Sequence, residues 1–513
     1  MKKIIGFALL ICIHFPGFSQ DTWSSNIAQI VYDNCSTCHN PFGIAPFSLL
    51  SYSDAQTYSY SINAAVSNKS MPPWIADSEY QQYAHERVLT TSEIDAISNW
   101  VQNGSPEGDK TKTPPPPVFS AKGYIDKSPD LELKAPVYAS KATNDGDDYV
   151  CFSIPSTLTK NKRIRAFEII PGNHNIVHHA LVYLDPFGNY PTDTSGSVCT
   201  GPSNGLIGGY VPGSPPTVFP SNGSDFNLGF TMFSGSNVVL AMHYPEGSLG
   251  MVDSTIIRFW FYDDVVTVRP LLTNSLIENW QFVLPANKIT PVKANMNVGN
   301  QDFSVVSVFP HMHLLGKSIE SFAVTPANDT LPFVNVPNWD FEWQEFLFFK
   351  NIIKVPKGTT IYGSGSYDNT TANEHNPKNP PVTVLPGLNT TDEMFLIFFH
   401  YLPYVAGDEN RDIQSMSSLS SPRFRSKDYA IKVYPNPAVD EVIFELPSKN
   451  LQTLSLYIYD SQGRLVEKLM DGKSHKSLDR ITWSVPEKLS SGIYYFSVNA
   501  DGLFYNNSFL IQR

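Results

Sequence analysis

Strand-like text dominates the chain from about residue 118 to 405, in stretches such as Phe303-Ser304-Val305-Val306-Ser307-Val308 and Val238-Val239-Leu240-Ala241-Met242. Short runs rich in β-branched and aromatic residues predict strands, and the Pro, Gly and Asn between them predict turns. Alternation returns after about Asp428, through Leu454-Ser455-Leu456-Tyr457-Ile458-Tyr459 and Gly492-Ile493-Tyr494-Tyr495-Phe496, and predicts a small β-sandwich. The start of the chain reads differently. Ile27, Ile30 and Val31 recur at helical spacing, and Thr90 to Glu93 form a capping box before Ile94, Ile97, Trp100 and Val101. The expected fold class is therefore mainly β and multidomain, with a small α-helical domain first. No repeat of solenoid period interrupts this order.

Punctuation divides the pattern. Met1-Lys2-Lys3, the apolar run Ile4 to Ile13, then Gly17 and Ser19 predict a signal peptide over 1–19 and an exported mature protein. No later run reaches the ~20 apolar residues that span a bilayer. The best of them, Met394 to Tyr404, contains His400 and reads as a buried strand. Thr113 followed by four prolines marks a semi-rigid spacer at 113–117, and Gln414 to Lys427, with six serines, a second linker. Domains are expected at 20–112, 118–269, 270–408 and 428–513, with 409–427 as linker.

Composition narrows the function classes. Hydrophobic residues at 42% and charged residues at 16% are globular values, and 513 residues exceed one ordinary domain. A net charge of -12 without a basic block argues against a nucleic-acid partner.

Cys35-Ser36-Thr37-Cys38-His39 has the attachment pattern of a c-type haem: two cysteines for thioethers and an adjacent histidine for the iron. Met71, in Met71-Pro72-Pro73-Trp74, is the candidate second axial ligand, since a His/Met pair gives a haem suited to electron transfer; a core filler is the plainer reading. His85 is a weaker ligand candidate. Cys12 leaves with the signal, so Cys151 and Cys199 remain, as a disulfide in an oxidising compartment or as two unpaired structural cysteines. The segment, with Pro46-Phe47 and Asn103 to Gly108, resembles the small cytochrome c modules fused to bacterial copper enzymes.

A second redox chemistry is written in His178-His179, His243, His311-Met312-His313 and Met394, because imidazole suits both oxidation states of copper and a thioether favours the reduced one. His311 and His313, two apart on an expected strand, point to one face; adjacent His178 and His179 would point to opposite faces unless the backbone bends. His174 and His400 read as supporting or surface groups, and His375 as exposed.

Taken together, Tyr149-Val150-Cys151, Val177-His178-His179, Gly213-Ser214-Pro215-Pro216, His243-Tyr244, His311 to Lys317 and Asp392-Glu393-Met394 resemble the copper type II, ascorbate-dependent monooxygenase family over residues 149–403. That family includes the peptidylglycine α-hydroxylating and dopamine β-monooxygenases. The resemblance implies two jelly-roll-like β-sandwich domains facing each other across a solvent-filled cleft. It implies two copper ions, an electron-storing one on His178, His179 and His243 and an oxygen-binding one on His311, His313 and Met394. It also makes Cys151 a disulfide cysteine, with Cys199 its natural mate. Phe309, Leu396 and Phe398 stand where the peptide-amidating enzyme has arginine, asparagine and tyrosine, so a peptide carboxylate would lack a partner.

The expected function is a secreted copper-dependent monooxygenase that hydroxylates a C–H bond of a small molecule with O2. An external donor would supply electrons through one covalent haem c, tethered by the proline spacer and reducing the His178/His179/His243 copper. The alternative is a non-catalytic haem and copper electron-transfer or copper-holding protein. Val433-Tyr434-Pro435-Asn436-Pro437, Tyr459 to Arg464 and Leu489 to Tyr495 resemble the type A sorting domain of type IX secretion, which implies export through the outer membrane of a Gram-negative bacterium.

Overall fold

The computed structural model describes residues 20–416 and 432–512, except 42, 118, 120–123, 126, 144–145, 197–198 and 200. In the last segment 446–449, 452–453, 461–464, 472–474, 477–479 and 501–502 are also not described. The expected signal peptide and most of the serine-rich linker fall outside the described residues.

The protein is mainly β, as the strand-like text predicts. Its helices gather at the start: a wide first turn Trp23–Ile27 runs into Ala28–Asn34, and Thr91–Gln102 follows the expected capping box at Thr90 and Glu93. Trp23 and Trp100 hold these two together, ring centroids 6.3 Å apart and both fully buried.

Two antiparallel sandwiches form the centre. In the first, Asp148–Pro155, Asn237–Tyr244, His179–Asp185 and Leu206–Tyr210 make one sheet, opposed by a sheet ordered Leu131–Lys134, Ile256–Phe261, Lys162–Ile170, Thr217–Val218. In the second, Leu272–Asn279, Phe395–Pro403, Phe303–His311 and Leu347–Val355 oppose Lys288–Asn297, Thr360–Asn369, Gly316–Val324 and Thr330–Val336. A last pair of sheets, around Phe444, Leu456, Ile458, Phe496 and Val498, has its own core.

Strand periodicity decides what each sheet shows its neighbour. Along Asn237–Tyr244, Val238, Leu240, Met242 and Tyr244 enter the first core. Val239 and Ala241 enter a separate cluster that also holds Phe309, Phe346 and Phe398 of the second sandwich. In Phe395–Pro403, Phe395, Ile397 and Phe399 turn into the second core. The sandwiches thus meet through an apolar layer made of their outer faces.

Two expectations change here. The proline spacer predicts a tethered helical module, yet that module is docked: Tyr83 bridges Phe349, the Ala84 N–H donates to Phe348 O at 2.8 Å, and the Tyr83 hydroxyl donates to Phe333 O at 2.9 Å. Ala76 and Tyr83 are apolar enough to enter the second core, and burying them favours contact over free motion. The expected linker also begins late, because Ile413 is fully buried in the first core.

Candidate metal centres

His179 and His243 lie directly opposite one another on paired strands, hence on one face. His178 precedes the strand, and its N–H donates to His243 O at 3.1 Å. That break supplies the bend that two adjacent histidines need to share a target. The three side chains converge, with ligand atoms all within 4.8 Å of one another. His179 Nδ1 is 3.3 Å from His178 Nδ1 and 3.2 Å from His243 Nδ1. The Nε2 atoms point outward: His243 Nε2 is 3.2 Å from Asp147 Oδ2, out of line for a good hydrogen bond, and His178 Nε2 is 3.9 Å from Glu342 Oε1.

The second set forms where the strand Phe303–His311 ends. His313 falls just past the strand rather than on it, and the two imidazoles approach edge to face at 5.1 Å. The chain brings the methionine near: Met394 lies between Glu393, whose carboxylate accepts from the His313 N–H, and the strand in which Leu396 pairs with His311. Glu393 fixes the turn, accepting from the N–H groups of His313 at 2.9 Å and Leu315 at 2.6 Å, while fully buried. Here the Nδ1 atoms are engaged, His311 Nδ1 with Gln344 Oε1 at 2.6 Å and His313 Nδ1 with the Asp392 carbonyl at 3.2 Å. Nε2 is left for a ligand.

Burial holds His178, His179, His311 and His313 neutral, the state in which an imidazole can bind a metal. It lowers His178 and His311 to about 4 and His313 to about 3, and holds His179 well below the usual histidine range.

A loop of the second sandwich reaches both sets. Phe341 puts its ring 6.2 Å from His179, 6.4 Å from His243 and 6.0 Å from His313. The Gln344 side-chain amide donates to Phe341 O at 2.7 Å, and the Trp339 indole donates to His313 O at 3.2 Å. Behind this loop Phe309 stacks on Phe346 at 4.9 Å. His400 is neither a supporting nor a surface group. It is fully buried against Phe346, Phe230 and Phe348, and neither ring nitrogen has a well-aligned partner. His174 and His375 are exposed.

In the helical module the Cys38 and His39 N–H groups both donate to Cys35 O, at 3.2 and 2.9 Å, so the motif continues the helical turn. His39 Nδ1 meets Phe47 O at 3.2 Å, which leaves Nε2 as the nitrogen on offer to a ligand. Met71 is 45% exposed and His85 is exposed. Cys151 and Cys199 form a disulfide with Cα atoms 5.3 Å apart.

Sequence reasoning missed Asp147, Phe341, Glu342, Gln344 and the clamping role of Glu393. All but Glu393 lie outside the motifs, and their positions become meaningful only when folding delivers them.

Residues 275–420 match the family of the copper type II ascorbate-dependent monooxygenase, C-terminal domain, and residues 432–512 match the secretion system C-terminal sorting domain. The chain therefore carries a copper-monooxygenase domain and an address for export to the surface or the medium. Among the described residues no helix is long and apolar enough to cross a membrane. No curated protein matches the chain. Among solved structures, the adhesin domain of Epf from Streptococcus pyogenes is 8% identical, covering 47% of this chain and 75% of its own, with a TM-score of 0.13. The BSP domain of a biofilm-associated protein is 10% identical, covering 79% and 84%, with a TM-score of 0.14. Likenesses this loose carry no argument.

Proposed function

We propose that the protein is an exported monooxygenase with two coppers and one covalent haem c, which hydroxylates a C–H bond of an uncharged small organic substrate with O2 and electrons from an external donor. The observation that carries this reading is the convergence of His178, His179 and His243, and the edge-to-face approach of His311 and His313, with Met394 assigned as their thioether partner, supports it. Both donor sets suit copper. Copper when bound supplies one-electron chemistry toward dioxygen, and haem when bound supplies a store for electrons.

The chain's own residues do the rest. Asp147 faces the His243 Nε2 edge, while Gln344 and the Asp392 carbonyl fix the rings of His311 and His313. Phe309 and Phe398 line the adjoining layer with apolar surface, Leu396 is buried on the strand position paired with His311, and none of the three offers a carboxylate a partner. Met71 is proposed as the sixth haem ligand opposite His39.

The test is stoichiometry joined to turnover. Purified protein should hold two coppers and one covalent haem per chain, and Met394→Ala should lose dioxygen uptake coupled to product while the haem spectrum stays intact. A single copper per chain, or full coupled uptake in Met394→Ala, sinks the assignment.

A further inference from the structure

Arg87 sits at the junction of the helical module and the second sandwich. Its Nε donates at 3.2 Å to the carbonyl of Pro73, two residues beyond Met71, and its guanidinium lies 5.1 Å from the Trp74 ring centroid. The guanidinium also makes a two-pronged ion pair with Glu345, one arm at 3.3 Å. Glu345 adjoins Gln344, and Gln344 Oε1 is bonded to His311 Nδ1 at 2.6 Å. One continuous chain of covalent and hydrogen bonds thus runs from the Met71 segment to a ligand of the second set.

A rival exit leads into the first sandwich. Cys38 Sγ lies 4.0 Å from Gly213 O, and the backbone runs back from Gly213 to Tyr210, which pairs with Ala180 beside His179. A thioether sulfur carries no proton to donate, so attaching the haem removes the first joint of this path. The joints at Arg87 and Gln344 survive attachment, and the Arg87–Glu345 joint is charge-assisted.

We infer that an electron leaves the haem module through Arg87, Glu345 and Gln344 and enters at the His311/His313/Met394 set, rather than at His178/His179/His243. This rests on the function proposed above. One electron moves: ferrous haem becomes ferric as cupric ion becomes cuprous, and no proton or group is transferred. Arg87, Glu345 and Gln344 are positioning residues.

The experiment gives the anaerobic, copper-loaded holoprotein one electron equivalent of dithionite and follows the haem absorbance, with freeze-quench EPR of the cupric signals. Rapid haem reoxidation should persist in His243→Ala and vanish in His313→Ala. Glu345→Gln should slow it at least tenfold with copper content and haem potential unchanged, and the exchanged pair Arg87→Glu with Glu345→Arg should recover part of the rate. Reoxidation that vanishes in His243→Ala and persists in His313→Ala overturns the route and leaves the proposed function standing. A purified chain without covalent haem overturns both.

Discussion

The two histidine sets use the same side chain in opposite ways. At His178, His179 and His243 the Nδ1 atoms turn inward, so a metal there would be held close to the backbone, and carboxylates stand behind the outer nitrogens. At His311 and His313 the Nδ1 atoms are already engaged by an amide oxygen and a carbonyl, and the far nitrogens are the ones on offer. The first set is shaped by a strand pair and a local break, the second by a turn clamped through one buried glutamate. A rigid strand pair suits a site that keeps the same ligands throughout. A turn with a thioether beside it suits a site whose coordination must change, and the difference supports giving the two sets different work.

The comparison breaks most sharply if the sets are interchangeable. His313→Ala and His243→Ala should each abolish hydroxylation and each remove one copper, and EPR of the remaining cupric ion should differ between the two variants. Identical spectra from both would show that the contrast in ring orientation has no chemical consequence.

Next in size is the clamp. Glu393→Ala leaves the His313 and Leu315 N–H groups buried without an acceptor, which costs about 3 kcal/mol of stability, read from chemical denaturation. It should also weaken copper at the second set while leaving the first at full occupancy. Equal losses at both would mean that Glu393 serves the fold and not the site.

Asp147→Asn tests the other side. Removing the charge behind His243 should lower copper affinity at the first set by about 10-fold to 100-fold, measured by competition with a chelator, with the second set unchanged.

Both sandwiches bury a glutamate under backbone donors, and the smallest prediction concerns the one outside both histidine sets. Glu168 accepts from the Tyr124 N–H, and burial pushes its carboxyl up to about 7. Its folded value lies above its unfolded one, so the stability it contributes is complete below the ordinary glutamate range and is lost as pH rises through 7. Glu168→Gln should therefore add on the order of 1 kcal/mol of stability at pH 8, read from chemical denaturation, and change little near pH 4.5. A gain that is equal at both values would rule out ionisation as the cause.

Much of the strand text was legible because burial imposes period two, and the run from Met394 to Tyr404 proved to be the strand Phe395–Pro403. The ligand candidates were legible for a different reason: histidine and methionine are scarce enough to stand out. What could not be read was everything contributed by common residues at long separation. Arg87 and Glu345 are ordinary charges 258 positions apart, and Phe341 is one of 32 phenylalanines. Each acquires a role only through docking, and docking itself was obscured by the prolines, which advertise separation while Tyr83 and Ala76 supply adhesion.

The packing of Cys38 against Gly213 bears on how the molecule is made. Gly213 has positive φ, and even a methyl group there would overlap the Cys38 sulfur, while Cys35 is buried deeply enough for its thiol to be pushed up to about 12. An enzyme that joins vinyl groups to these sulfurs needs them exposed and reactive. If the haem proposed above is attached there, maturation is expected to be ordered in time, with attachment preceding the docking that sets Cys38 against Gly213.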